Sequence, residues 1–313
     1  MAPAGYRGRF APTPSGPLHF GSLVAALGSH LEARAAGGEW LVRIEDVDPP
    51  RVVAGAADDI LRTLEAFGFE WDGPVMYQSR RGPAYRDRLE RLLRQDLVYP
   101  CTCSRKQLAG HARRGVDGPI YPGTCRGRRS GPVPAALRLR VPQGRIVFED
   151  GLQGRIACAV AEECGDFVLR RADGVWSYQL AVVADDAEQG ISHVVRGADL
   201  LASTPRQIML QRLLGLPTPA YLHLPVVLDP RGDKLSKQTL AERVDARAPL
   251  PALLAAWRFL GQAAPGRVER VPEFWAMARS LWSAARLPRV RGMRARAEAW
   301  VRLAPSPLTP HLK

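Results

Sequence analysis

Apolar positions along this chain follow two rhythms that exchange with one another. Arg7–Ala11 and Trp40–Glu45 are short runs with the composition of buried strands. Between them, Leu23, Leu27 and Leu31 recur at helical spacing and predict a helix from His19 to about Ala36, stopped by Gly37 and Gly38. Ala54–Phe67 and Pro83–Leu97 read as further helices. The rhythm returns with a strand over Phe167–Arg170, a helix over Ser177–Asp185, a strand over Ile191–Arg196, a helix over Thr204–Leu214 and a strand over Val226–Leu228. Strands alternating with helices predict an α/β fold built on a parallel, doubly wound sheet. From about Pro100 to Arg171 the pattern breaks into Cys, Gly, Pro and short apolar runs, which predicts an insertion with its own small fold. Beyond Thr239 the chain reads as helical, with Leu250–Leu260 and Phe274–Ala285 as candidates. The expected organisation is therefore a catalytic first half over 1–99, an inserted unit over 100–165, a second half over 166–245 and a short helical region over 246–313.

Composition narrows the class. With 313 residues and 46% hydrophobic content the chain can bury a sizeable core. No run of about 18 apolar residues predicts a membrane span. Arg7 and Arg9 interrupt the place where a signal peptide would need its apolar stretch, so the expected location is the cytoplasm. Lys and Arg number 44 against 31 Asp and Glu, a net charge of +13. The stretch from Pro251 to Lys313 holds eleven of the basic side chains and three Glu. A basic surface attracts polyanions, yet a chain rich in Ala, Arg, Gly and Pro reaches the same balance through composition alone. Five cysteines cannot all pair, and a close cluster in a cytosolic chain favours a metal over a disulfide framework.

Three constellations carry candidate chemistry. In the first, Arg9-Phe10-Ala11-Pro12-Thr13-Pro14-Ser15-Gly16 leads from a strand through a tight turn to His19-Phe20-Gly21-Ser22 at the start of a helix. A helix N-terminus offers free N–H groups to phosphate, Gly21 permits close approach of a ligand, and His19 can donate to a phosphate oxygen. Read alone, it is equally an ordinary strand–turn–helix with a packed histidine. The second is Lys234-Leu235-Ser236-Lys237 in the polar loop after Leu228, which suits a clamp on triphosphate oxygens but, read alone, is more simply a solvated loop. The third is Cys101-Thr102-Cys103 with Cys125, spaced for a zinc loop but one thiolate short of four ligands.

Together the first two resemble the signature pair of class I aminoacyl-tRNA synthetases. RFAPTPSGPLHFG and Arg43-Ile44-Glu45-Asp46-Val47-Asp48 are similar to the glutamyl branch, over roughly residues 5–245. Ser22 stands where the signature carries a second histidine. The stretch HFGSLVAALGSHLEAR resembles the short paralogue group of glutamyl-Q tRNA(Asp) synthetases, which place glutamate on queuosine in the anticodon of tRNA(Asp). The chain runs from Lys237 only to Lys313, where a full glutamyl-tRNA synthetase carries a further helical anticodon-binding region. A truncated conventional synthetase charging a tRNA 3′ end is the alternative, and a non-enzymatic RNA-binding relative a third.

The resemblance implies a site. Arg9, within Arg9–Thr13, would face the glutamate side-chain carboxylate, Glu45 would accept from the ammonium, and Tyr178 and Arg196 would complete the contacts. His19, Gly21, Ser22 and Lys237 would bind ATP. His19, Lys234 and Lys237 would stabilise charge on the phosphates, with Mg²⁺ as counterion. The paralogue pattern C-x-C…Y-x₃-C puts Tyr121 in the fourth zinc place, beside Cys101, Cys103 and Cys125. Cys158 and Cys164 are expected in the core, although one could stand in for Tyr121. The implied partners are ATP, L-glutamate and the tRNA(Asp) anticodon stem-loop, and the chain is expected to act as a monomer. Arg286, Arg289, Arg291, Arg294 and Arg296 either contact the anticodon stem or line a solvated helix face.

Overall fold

The computed structural model describes residues 5–109, 113–115, 118–131, 134–229, 231–233 and 243–294. In chain order the first half comprises β1 (Arg7–Phe10), α1 (Phe20–Ala35), β2 (Glu39–Ile44), α2 (Ala56–Ala66), β3 (Met76–Tyr77) and α3 (Gly82–Arg94). The middle holds β4 (Val98–Cys101), α4 (Arg105–Ala109), β5 (Arg114–Gly115), β6 (Gly118–Pro119), β7 (Ala136–Leu139), β8 (Ile146–Asp150), β9 (Gly154–Cys158), α5 (Val160–Glu163) and β10 (Val168–Arg170). The rest is α6 (Tyr178–Glu188), β11 (His193–Gly197), α7 (Thr204–Leu214), β12 (Ala220–Leu224), β13 (Val226–Leu228), α8 (Pro249–Phe259), α9 (Val271–Leu281) and β14 (Gly292–Arg294).

Parallel pairing dominates the centre. β1 pairs with β2 and β2 with β3, while β11 pairs with β12 and β12 with β8. The two groups meet where the Ser192 N–H donates to the Arg7 carbonyl at 3.0 Å and the Arg7 N–H donates to Ser192 Oγ at 2.8 Å. β1 therefore lies between β2 on one side and β11 on the other. Strand order reverses across the sheet there, and open α/β sheets bind ligands beyond the carboxyl ends of strands at such a switch point.

Both faces of this sheet are covered, which is why its strands read as nearly continuous apolar runs. Val195 packs into a core with α1, α8 and α9, whereas its neighbour Val194 packs into a second core with α3, α6 and α7. Gly28 lets α1 lie close to the sheet, since a Cβ there would sit 2.5 Å from Leu224 Cδ1.

The middle segment differs from the expected independent insertion. β8 pairs with β12, and β7 and β8 share the second core through Leu139 and Ile146. A small cluster of Tyr99, Cys101, Tyr121 and Cys125 stands as a core of its own. The C-terminal part differs as well. α9 ends at Leu281, Arg286 closes a single 3-10 turn over Ala284–Arg286, and Gly292–Arg294 forms a strand parallel to β13, so the described arginines of the tail do not share one α-helix face. Arg296 lies outside the described residues.

One buried group stands out. His30 on α1 is fully buried, edge-on to Trp40, Phe69 and Trp275, and neither ring nitrogen closes a hydrogen bond. Burial, reinforced by Arg34 and Arg279, pushes it down to about 3. The folded state thus binds this proton less readily than the unfolded chain, so stability falls as pH drops below the unfolded value of 6.5. His30→Met keeps the volume and removes the unsatisfied nitrogens. It is expected to hold or raise the melting temperature and to flatten its fall between about pH 7 and about pH 5, checked by thermal unfolding.

Candidate active site and thiol cluster

A cleft of about 680 Å³ opens at the carboxyl ends of β1 and β11. Its wall includes Arg9, Phe10, Ala11, Pro12 and Thr13 from the first segment. It also includes His19, Gly21 and Ser22 from the start of α1, and Glu45, Tyr178 and Arg196. Residues from the first part of the chain and from Tyr178 onward are thus brought to one cavity. Lys234 and Lys237 lie outside the described residues. The chain before that loop lines the cleft with Val226 and Val227, and the chain after it forms a bridge between Arg243 and His19.

Local chemistry explains the end of the cleft at the start of α1. His19 is the N-cap of α1, its Nδ1 accepting from the Ser22 N–H at 3.3 Å. With Nδ1 an acceptor, Nε2 carries the proton, and it lies 3.1 Å from Ser22 Oγ. The serine in place of a second histidine therefore accepts from His19 and keeps its own hydroxyl proton to donate. No acidic residue occupies the first turn of α1, so its positive end is open to an anion. The turn after β1 is tied to β2 by the Glu45 N–H donating to the Pro12 carbonyl at 2.9 Å, which sets Glu45 beside the first segment.

Beneath the cleft lies a network of buried charge. Asp186 on α6 takes Arg9 Nε at 3.1 Å and Arg43 Nη1 at 2.8 Å, and Arg43 Nη2 reaches Glu45 Oε1 at 3.3 Å. Arg43 is completely buried. Burial alone would raise Asp186, but Arg9 and Arg43 outweigh it and hold the carboxyl below its ordinary range. For Glu45 burial wins over the same two guanidinium groups and pushes the carboxyl up. Arg9, expected to face a ligand carboxylate, therefore already carries an ion pair.

Arg196 is held differently. Nε donates to His223 Nε2 at 3.1 Å, Nη1 to the Tyr178 hydroxyl at 3.2 Å, and Nη2 to Thr204 Oγ1 and Gln207 Oε1, both at 2.8 Å. All four partners are uncharged in these roles. One N–H of the five remains for a ligand.

Sequence reasoning passed over Asp186, Arg43 and His223. The signal for the first was present: Asp185 and Asp186 interrupt the apolar run of α6, and an acid inside a buried helix needs a partner. Arg43 sits in the apolar strand WLVRI for the same reason. His223 belongs to β12, a strand the apolar pattern did not show.

Away from the cleft, Cys101, Cys103 and Cys125 bring their sulfurs within 4.8 Å of one another and could hold a metal ion. Cys103 Sγ and Cys125 Sγ are 3.6 Å apart, and the Tyr121 hydroxyl lies 3.4 Å from Cys101 Sγ and 3.6 Å from Cys103 Sγ. Cys158 belongs to the second core, with Cys164 packed against it, so neither takes the Tyr121 place.

Similarity to known proteins extends well beyond the cleft. Residues 6–249 match the tRNA synthetases class I (E and Q), catalytic domain. A glutamyl-Q tRNA(Asp) synthetase of Dechloromonas aromatica (strain RCB) is 59% identical over 91% of this chain and 96% of its own length. One of Chromobacterium violaceum is 56% identical over 92% and 97%. Among solved structures, a glutamate tRNA ligase from Elizabethkingia meningosepticum, in complex with its amino acid, superposes with a TM-score of 0.77 at 26% identity. The match covers 94% of this chain and 68% of that one.

Breaking the buried network tests its weight. Asp186→Ala leaves two guanidinium groups buried without their shared carboxylate and is expected to cost about 3–5 kcal/mol of stability, read from urea unfolding.

Proposed function

This chain belongs to the class I (E and Q) tRNA synthetase family, and we propose that it activates L-glutamate with ATP and transfers the glutamyl group to queuosine in the anticodon of tRNA(Asp). The observation that carries the reading is the charge arrangement of the cleft, in a chain whose relatives bear the glutamyl-Q name. The Arg196 guanidinium, with uncharged partners, and the buried Glu45 carboxylate face the same cavity. Glutamate needs both, a cation for its side chain and an acceptor for its ammonium.

Arg196 and Tyr178, with Arg9 behind them, take the side-chain carboxylate. Glu45 takes the ammonium. The α-carboxylate then attacks the α-phosphorus of ATP and pyrophosphate leaves. A hydroxyl of the nucleic acid attacks the mixed anhydride in the second step, and AMP leaves. No protein nucleophile takes part, so catalysis is positioning and charge stabilisation. At the start of α1 the Ser22 hydroxyl, oriented by the His19 Nε2–H, donates to a phosphate oxygen, and Gly21 offers bare backbone. Lys234 and Lys237 add positive charge, and Mg²⁺ enters with the nucleotide. The catalytic halves, 1–99 and 166–245, supply this cleft, and the reaction belongs to the cytoplasm.

The ion held by the thiols is assigned as zinc. Tetrahedral zinc at about 2.3 Å from sulfur spaces its thiolates by roughly 3.8 Å, close to the 3.6 Å between Cys103 and Cys125. Tyr121 fits as the fourth ligand. Its hydroxyl already lies among the sulfurs; burial and the neighbouring thiols push it up, so the phenolate form would depend on the bound cation. Metal analysis is expected to find one zinc per chain, lost in Cys125→Ser and weakened in Tyr121→Phe. Zinc held equally well by Tyr121→Phe would remove tyrosine from the ligand set.

Transfer of radiolabelled glutamate tests the main reading. Label is expected on queuosine-containing tRNA(Asp), in a linkage that survives periodate treatment of the 3′ end. Label on tRNA(Glu) instead would make the chain a minimal conventional synthetase. The absence of label together with absent ATP–pyrophosphate exchange would remove the enzymatic reading.

A further inference from the structure

Three buried polar groups stand in line behind the cleft. Arg196 and His223 are register partners on the parallel strands β11 and β12, so their side chains emerge on one face. His223 Nδ1 lies 2.5 Å from Asp150 Oδ2, and both side chains are fully buried. The other oxygen of that carboxylate, Oδ1, accepts three backbone N–H groups: Leu152 at 3.1 Å, Gln153 at 2.9 Å and His223 at 3.2 Å.

This wiring fixes where each proton sits. Oδ1 faces only donors, so it must be an unprotonated oxygen. Arg196 Nε is always a donor, so His223 Nε2 must present a lone pair. The imidazole proton is then on Nδ1, pointing to Asp150 Oδ2. Burial, opposed by the Asp150 hydrogen bond and reinforced by Arg196, pushes His223 down to about 4, which agrees with a neutral ring. The carboxylate thus reaches the guanidinium only through an uncharged imidazole. Arg9 shows the contrast, since its charge is met directly by Asp186.

We propose that Asp150 and His223 are positioning residues for glutamate recognition. Asp150 selects the Nδ1–H form of His223, and that form holds Arg196 toward the cleft without neutralising it. The proposal rests on the functional reading above, in which Arg196 takes the side-chain carboxylate. Neither residue touches the cleft, and both act through a guanidinium whose hydrogen-bond partners are all neutral.

Asp150→Asn is the decisive change because it is isosteric and its orientation is forced. Three backbone donors require the amide oxygen at the Oδ1 place, so the amide nitrogen must face His223 Nδ1. It can only donate there, and the imidazole proton must move to Nε2. A proton on Nε2 can reach the Thr204 hydroxyl, 3.1 Å away, but leaves Arg196 Nε without an acceptor. His223→Gln supplies a side-chain oxygen near the Nε2 place and has no tautomer to switch.

Glutamate-dependent ATP–pyrophosphate exchange by the full chain reads the outcome. Asp150→Asn is expected to raise the KM for glutamate by about 10–100-fold while the KM for ATP holds and kcat at saturating glutamate stays within about threefold. His223→Gln is expected to keep most of the glutamate affinity, and adding Asp150→Asn to it should change KM little further. Should Asp150→Asn fail to fold, His223→Asn keeps the donor toward Asp150 and removes the acceptor for Arg196, and the same rise in glutamate KM is expected. An unchanged glutamate KM overturns the proposal. So does an equal rise for both substrates, or a full additional effect of Asp150→Asn in the His223→Gln background. A wild-type chain without glutamate-dependent exchange would instead strike the functional reading on which the proposal rests.

Discussion

The Asp186 carboxylate is the point on which the catalytic half-domains meet. It sits on α6 and takes a guanidinium from β1 and another from β2, so one buried anion joins segments far apart in the chain. Removing charge from water is costly, and a buried carboxylate shared by two guanidinium groups is better tolerated where further hydrogen bonds hold them. Arg43 is held further through Gln189 and Glu45, with its buried Nε left without a partner, whereas the hydrogen bonds of Arg9 go to Asp186. The position of Glu45 at the cleft therefore follows from the same network that closes the sheet.

That network also divides the labour among the cations of the cleft. Arg9 is spent largely on Asp186, whereas Arg196 keeps its charge because its neighbours are a hydroxyl, an amide, a tyrosine and an imidazole. In a water-poor cavity an unneutralised guanidinium attracts a carboxylate far more strongly than one already paired. Burial raising Glu45 and ion pairing lowering Asp186 express the same division among the acids. The end of the cleft proposed for phosphate is built differently, from backbone N–H groups and a Ser22 hydroxyl oriented by His19 at the start of α1.

What could be read along the chain was whatever depends on near neighbours. Leu23, Leu27 and Leu31 announced α1, and the strand–turn–helix at Arg9–Ser22 needs only local backbone chemistry. Strands buried on both faces showed as short apolar runs. Cys101, Cys103 and Cys125 were legible because ligand spacing is itself a local pattern, Tyr121 came from the family resemblance, and the structure gathers all four side chains. The middle segment was harder. Its breaks in rhythm pointed to a separate unit, but β8 is held by β12 through Asp150 and Tyr221, a long-range pairing that periodicity does not carry.

By itself the sequence determined the α/β alternation and the strand–turn–helix that opens α1, because each follows from spacing or local backbone chemistry, while the residues assigned to glutamate came from the family resemblance. Only the tertiary structure decided which cation keeps its charge. Arg9 and Arg196 are the same residue type, both buried and both at the cleft. They differ in what the fold sets beside them: a carboxylate from α6 for one, a neutral histidine from β12 for the other. A guanidinium's reach toward a ligand depends on that neighbour, and neighbours distant in the chain are chosen by folding.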